Sequence, residues 1–148
     1  MKIEIQNGKL AAVGNFLYNL KLVRKQSRMR RRLINLLDER NKVYLEDRKE
    51  LQEEHSNKDS DGKAIIIDGN YDIPDMVAFS NDLKELNEEK VVIEGGDNRE
   101  MIRTVQEILR KLEDVEYEAQ ESEAYDYLCE QFQIDEGEDN DEGDNNGN

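Results

Sequence analysis

Residue types that carry out chemistry are scarce in this chain. Among its 148 residues there is one cysteine, Cys129, and one histidine, His55. A cysteine nucleophile needs a base within hydrogen-bonding reach, and structural zinc sites need several Cys or His ligands. The sequence therefore rules out a disulfide within the chain. It predicts a non-enzymatic protein with no catalytic residue and no cofactor.

The motif closest to a ligand set is a run of oxygen-bearing side chains that begins at Asn57. Counted as a calcium loop, positions 1, 3, 5, 6 and 12 are Asn57, Asp59, Asp61, Gly62 and Asp68. A hard cation needs oxygen ligands at such positions around a glycine turn. However, position 12 is Asp where a bidentate Glu is usual, and position 9 is Ile65, which has no side-chain oxygen. Because Asp, Ser and Gly are also ordinary turn residues, we interpret the segment as a plain loop and predict no metal site. A cation there remains the open alternative.

Charge is strongly segregated along the chain. The net charge is −15, yet residues 1–50 have a net charge of +7 and residues 51–148 have −22. Seven Lys or Arg lie between Lys21 and Arg32. At helical spacing, Arg24, Arg28 and Arg31 share one face, and we single them out as candidate partner-binding residues. The alternative is that this face is solvated or paired with acids of the same molecule.

A protein partner suits this basic run better than nucleic acid does. The acidic half would repel a phosphate backbone, and no aromatic residue lies among Arg28–Arg32 to stack on bases. No apolar run approaches the roughly 18 residues of a membrane span, so we expect no membrane partner and no signal peptide. Self-association is left open by the sequence.

Aromatic side chains among the acids offer a different interpretation. The residues concerned are Tyr117, Tyr125, Tyr127 and Phe132. Carboxylates can stand in for phosphates, so such a surface can imitate nucleic acid. At this spacing, however, aromatics are also typical of the buried side of a helix.

Hydrophobic periodicity predicts the elements that must position these residues. Hydrophobic residues make up 36% of the chain and charged residues 39%, which favours a modest core. We predict an α+β fold dominated by about five helices, with a small sheet of up to four short strands. The predicted helices are a segment around Leu10–Leu20, a long helix from a Ser27 cap to Gln52, and segments starting at Pro74, at an Asp97–Glu100 capping box, and near residue 118. The predicted strands lie near residues 3–5, 64–67, 71–73 and 91–93, the middle two joined by a hairpin turn at Asp68-Gly69-Asn70.

One domain and one tail follow from the same patterns. Residues 1–134 are predicted to form a single α+β domain, and residues 135–148 a disordered acidic tail of seven acids with only Gly and Asn. The predicted core residues are Leu10, Leu17, Leu37, Phe79, Ile93, Val105, Leu109 and Leu128. Gly14, inside the first helix, is expected to mark close helix packing.

Several segments resemble a known family. They are Met1-Lys2-Ile3-Glu4-Ile5, Asn15-Phe16-Leu17-Tyr18-Asn19-Leu20-Lys21-Leu22, Ser27-Arg28-Met29-Arg30, Val92-Ile93-Glu94-Gly95 and Tyr125-Asp126-Tyr127-Leu128-Cys129-Glu130. Together they resemble an uncharacterised family of small phage and prophage proteins from Gram-positive bacteria, over about residues 1–134. The resemblance carries no activity to transfer. It implies a phage gene product in the bacterial host cytoplasm or associated with the virion.

The expected function is therefore that of a non-enzymatic phage accessory or assembly protein acting through protein–protein contacts. The alternative is an acidic nucleic-acid mimic that inhibits a host defence or regulatory enzyme.

Overall fold

The computed structural model describes residues 1–134 and confirms the helix-dominated α+β class. The helices are α1 (Leu10–Tyr18), α2 (Arg24–His55), α3 (Met76–Glu88), α4 (Arg99–Lys111) and α5 (Ala119–Gln131), and the strands are β1 (Lys2–Gln6), β2 (Ile66–Ile67), β3 (Asn70–Tyr71) and β4 (Lys90–Glu94). The predicted acidic tail lies outside the described residues. Within residues 1–134, no helix combines the length and the apolar character that crossing a bilayer requires.

The four strands form two separate two-stranded antiparallel sheets rather than one small sheet. In the first, β1 pairs with β4, so that Ile3 lies opposite Ile93 and both are buried. In the second, β2 and β3 form the predicted hairpin. Asp68 and Gly69 at its turn have φ values of 51° and 82°, as a two-residue type I′ turn requires. The sheets are separate because only the first lies on the core.

Helices α2 and α3 do not begin where the sequence predicts. The first helical residue of α2 is Arg24, so Ser27 lies inside the helix and is not its cap. Pro74 lies outside α3, and the cap is Asp75, whose carboxylate accepts a hydrogen bond from the Ala78 amide at 3.0 Å. A capping carboxylate satisfies an otherwise unpaired amide of the first turn, which explains why the helix starts after Asp75.

The expected capping box of α4 is also wrong. A 3-10 turn, Gly96–Asn98, precedes Arg99, and it contains Asp97. Asn98 is therefore the N-cap residue, and its side chain makes no capping hydrogen bond. Glu100 then lies in the first turn of α4, where its side chain contacts a different helix.

The core is one cluster built from β1, β4, α1, α2, α4 and α5. Its fully buried members include Ile3, Ile5, Leu17, Leu33, Leu37, Val105, Leu109, Leu128 and Phe132. Seven of the eight predicted core residues belong to it. Phe79 is buried but lies outside this cluster, with its ring 5.6 Å from the His55 ring in an edge-on contact. It therefore holds α3 to the far end of α2 and does not contribute to the main core.

Hydrogen bonds at buried or half-buried positions fix α5 to the rest of the core. The Tyr125 hydroxyl donates to the Leu109 carbonyl at 2.8 Å, and the side-chain amide of Gln106 donates to the Phe132 carbonyl at 2.9 Å. The backbone N–H of Gln6 donates to the Tyr127 hydroxyl oxygen at 3.0 Å, which ties α5 to β1 as well. These bonds set the position of α5 more specifically than apolar contact alone.

Replacing Gly14 with alanine should stabilise the protein. A Cβ built at Gly14 meets no atom within 4 Å, so the expectation of close helix packing there is wrong. Gly14→Ala should raise the free energy of unfolding by about 0.5–1 kcal/mol, because alanine loses less backbone entropy in a helix. Chemical denaturation measures this change. Gly69→Ala, at a positive φ, should be destabilising in the same assay; a Gly14→Ala variant that is also destabilised would contradict the packing described here.

Stability should decline at alkaline pH through the half-buried Tyr125. Burial raises the pKa of Tyr125 well above its usual value of 10.0, so the folded protein keeps the phenol proton when the unfolded chain loses it. The contribution of Tyr125 to the free energy of unfolding is therefore fully present below pH 10 and is lost as the pH rises above 10. Tyr125→Phe should cost about 1 kcal/mol at neutral pH and should weaken the alkaline decline. Denaturation curves at neutral pH and at about pH 11 test this. Tyr18→Phe, at an exposed side chain, is the control that should change neither curve.

Candidate functional site: the basic face of α2

Helical geometry brings the three candidate arginines together. The inward side of α2 is marked by its buried residues Met29, Leu33, Leu37 and Tyr44. At about 100° per residue, Arg24, Arg28 and Arg31 lie on the opposite side, and all three are exposed. We call these three residues the basic face.

The side chains of the basic face contact no acid directly within residues 1–134. No side-chain hydrogen bond or close ion pair joins Arg24, Arg28 or Arg31 to that part of the chain. Their neighbour Lys25 does have one, since its Nζ lies 2.8 Å from a Glu100 carboxylate oxygen. The hydrogen bond and charge of Lys25 are the main causes that lower the pKa of Glu100, and the more distant charges of Arg32 and Arg28 lower it further. Pairing with an acid of a neighbouring helix therefore occurs at Lys25 and not at the basic face.

Arg30 has a structural role that sets it apart from the other arginines. Its guanidinium donates to the carbonyls of Leu17 at 3.2 Å, Tyr18 at 3.4 Å and Leu20. These carbonyls lie at the end of α1, where backbone acceptors lack partners within the helix. A cation there also interacts favourably with the helix dipole. Arg30 thus fastens the end of α1 to α2.

The start of α2 breaks two local rules of helix formation. The residue before it, Val23, gives no side-chain capping bond, and the first turn contains no acid. It contains Arg24 and Lys25 instead, which add positive charge to the positive end of the helix dipole. Arg24 also has a φ of 50°, a region that non-glycine residues rarely adopt. Packing elsewhere must offset these costs, and the result is a concentrated positive potential at one end of α2.

The calcium-like loop uses its oxygens internally. The Asp59 carboxylate accepts hydrogen bonds from the amides of Asp61 at 2.9 Å and Lys63 at 3.0 Å. The Asn57 side chain donates to the Asp72 carboxylate at 3.0 Å. These are turn-forming bonds, which favours the plain-loop interpretation. Across residues 1–134, no three His, Cys, Asp or Glu side chains are grouped as a metal site would need.

The structure does not bring Cys129 and His55 together. Cys129 is buried in the main core, whereas His55 is the last residue of α2. The His55 Nε2 lies 2.7 Å from the Asp82 carboxylate, and this contact links α2 to α3. The histidine therefore serves the packing of α3, and no cysteine–histidine pair forms.

The aromatic residues of the acidic half face inward. The Tyr117 ring packs edge-on against Phe16 with centroids 5.1 Å apart, and it lies 5.5 Å from the Tyr125 ring. Phe132 is fully buried. These contacts agree with the buried side of a helix. By contrast, all eight acids from Glu113 to Glu130 are exposed.

Two groups of exposed apolar side chains were not foreseen from the sequence. Tyr18 and Val23 lie beside the start of α2 and are 74% and 73% exposed. At its other end, Ile66, Ile67, Met76 and Val77 are each more than half exposed. Their exposure has no signal in the sequence, because the strands predicted for the hairpin are longer than the two-residue strands observed.

Alanine substitutions at two adjacent arginines should separate structural from surface roles. Arg30→Ala removes the hydrogen bonds to α1 and should lower the free energy of unfolding by about 1–2 kcal/mol. Arg31→Ala is the matched control and should change it by less than about 0.5 kcal/mol. Chemical denaturation of both variants measures the difference. Equal changes in the free energy of unfolding at the two positions would contradict the role of Arg30 in holding α1 to α2.

Comparison with known proteins gives a family and no activity. The family model described as "Protein of unknown function (DUF1617)" matches residues 1–139. The chain belongs to this family, because the match covers far more than half of its length. The match also reaches a few residues beyond the expected domain boundary at residue 134. No curated protein and no solved structure matches the chain.

Proposed function

We propose that this member of the family is a non-enzymatic accessory or assembly protein that binds an acidic protein surface through the basic face of α2. The observation that carries the proposal is the exposure of Arg24, Arg28 and Arg31 without ion pairs. They are exposed, share one side of a helix and lack ion-pair partners within residues 1–134. The proposed setting is a phage or prophage of Gram-positive bacteria, with the protein in the host cytoplasm or on the virion.

The chemistry of arginine supports a carboxylate-rich partner. A guanidinium presents a rigid fork of donors that matches a carboxylate in two parallel hydrogen bonds. Three such groups on adjacent helical turns can engage several acids at once. Contacts of this kind mainly set association rate and specificity, and they weaken with salt.

Charge distribution also favours a protein over duplex DNA. The basic face belongs to a chain with a net charge of −15. A DNA duplex extends well beyond a three-residue patch, so its phosphates would meet repulsive acids. A protein partner can dock on the start of α2 alone and leave the acids in solvent.

A second candidate function rests on the acids near α5. Eight exposed acids occur between Glu113 and Glu130, and no Lys or Arg follows Lys111. A surface with one sign of charge supports the alternative of a nucleic-acid mimic that blocks a host defence or regulatory enzyme. This candidate uses a different face, so the two functions can be separated by mutation.

Charge reversal on the basic face should abolish partner capture. In a pull-down from infected cells, the Arg28→Glu, Arg31→Glu variant should lose the main partner, because repulsion replaces attraction to the acidic surface. The matched control is Lys42→Glu, Arg48→Glu, the same charge change at exposed positions of the same helix. It should retain the partner. A partner list that is the same for both variants would count against the proposal.

Two further measurements distinguish the alternatives. A gel-shift titration of the wild type with duplex and single-stranded DNA at moderate salt should show no binding; tight binding would contradict the proposal. A Glu123→Gln, Asp126→Asn variant should keep the partner if the basic face binds it. Loss of the partner with this variant alone would favour the mimic.

A further inference from the structure

The start of α2 combines exposed apolar and basic groups. Tyr18 and Val23 are exposed there, and Arg30 holds the end of α1 against α2 so that both lie at the same end. Residues 18–32, which we call the basic end, contain seven Lys or Arg and no acid. The basic end includes the basic face.

The opposite end of α2 is apolar and acidic. The hairpin is attached directly after the helix through two backbone hydrogen bonds of Asn57. The backbone N–H of Asn57 donates to the Asp72 carbonyl at 2.9 Å, and the backbone carbonyl of Asn57 accepts from the Ile65 N–H at 2.9 Å. Residues 57–77, which we call the hairpin end, contain five Asp and two Lys. The exposed apolar residues of this end are Ile66, Ile67, Met76 and Val77.

Helix α3 fixes the hairpin end in place. It runs antiparallel to α2, because Asp82 contacts His55 while Asn87, further along α3, bonds to Tyr44. Its first turn, with Met76 and Val77, therefore lies at the C-terminal end of α2. The four exposed apolar side chains thus come from two segments that converge on one end of the molecule.

The two ends cannot reach each other within one molecule. Helix α2 has 32 residues, and at about 1.5 Å per residue its ends are about 48 Å apart. Both ends are anchored to this single continuous helix. Complementary surfaces that are held apart in this way can meet only between molecules.

We propose that the hairpin end of one copy of this chain docks on the basic end of a second copy. The inference rests on the proposed use of the basic face for protein binding, and it names the protein surface that the basic face binds. Ile67, Met76 and Val77 would pack against Tyr18 and Val23, while the Asp residues around them face the arginines. Ile66 follows the alternation of the strand and points to the other face of the hairpin. Apolar burial and the opposite charges at the rim both supply attraction, and the charges also set the orientation.

The contact joins two different surfaces, so it is heterologous. Each added copy leaves one free basic end and one free hairpin end, and assembly continues into a chain or closes into a ring. A symmetric dimer in which each end meets its own kind is disfavoured, because arginines would face arginines and aspartates would face aspartates.

Two variants, each with one end disabled, test the proposal on the full-length protein. Arg24→Glu, Arg28→Glu disables the basic end, and Ile67→Lys, Val77→Lys disables the hairpin end. All four side chains are exposed, and circular dichroism with thermal melting verifies that the fold is kept. Val43→Lys, Leu45→Lys, at exposed apolar positions in the middle of α2, is the matched control. Sedimentation velocity measures the mass over a wide range of protein concentrations at low and high salt.

The wild type and the control variant should form species of two or more chains at high concentration, two being the smallest closed ring, and should dissociate toward 17.3 kDa in high salt. Each disabled variant should remain at 17.3 kDa alone. An equimolar mixture of the two should form a species of two chains that grows no further, since one intact contact is restored. A wild type that is monomeric throughout, or a mixture that stays monomeric, would overturn this inference. Neither outcome would affect the pull-down with the Arg28→Glu, Arg31→Glu variant, which tests the proposed function separately.

Discussion

The apolar seam of α2 is the interaction on which the rest of the structure depends. Its buried side chains, Met29, Leu33, Leu37 and Tyr44, place one long helix against α1 and α4 and within the core that these share with β1 and α5. The seam ends at Tyr44, eleven residues before the helix does. Beyond that point α3 is held by the polar contacts Tyr44–Asn87 and His55–Asp82 and by the single buried ring of Phe79. The molecule is therefore tightly packed at one end and sparsely packed at the other.

The orientation of the seam also decides what each arginine does. Residues one helical step apart point in directions about 100° apart, so Arg30 turns toward α1 while Arg31 turns outward. One guanidinium completes the backbone hydrogen bonding of α1, and its neighbour is left to solvent or a partner. The start of α2 keeps its positive charge despite the unfavourable dipole. Local costs of this kind are typical of positions retained for binding, where a sequence departs from what folding alone favours.

Much of the fold follows from patterns of short range. Alternating Ile3 and Ile5 predict β1, and Asp68-Gly69 predicts the hairpin turn, because local sterics dictate both. The helix starts were less accurate, since a start depends on which side chain reaches a free amide. The Asp75 cap places the first residue of α3 at Met76, whereas Pro74 was expected there. The wrong expectations at Gly14 and Phe79 have a common cause. A periodic pattern shows which side of a helix is apolar, but it does not show which element, if any, lies against that side.

The candidate site was predictable in part for the same reason. Helical spacing alone groups Arg24, Arg28 and Arg31, and the structure places all three on the outer side of α2. The structural use of Arg30 was not predictable, because it depends on where α1 ends in space. The exposed apolar residues at the two ends of α2 were missed because an apolar side chain in a sequence is by default expected to be buried.

The pairing of β1 with β4 has a consequence for how the protein is made. Ile3 pairs with Ile93, so β1 leaves the ribosome and must wait for a partner about ninety residues later in the chain. At a typical synthesis rate of about 5–20 residues per second, this delay lasts several seconds. Helix α2 lies between the two strands and can form from local contacts in the meantime. Ile3 and Ile5, which are among the most deeply buried side chains of the finished molecule, therefore spend this interval without the strand that completes their sheet.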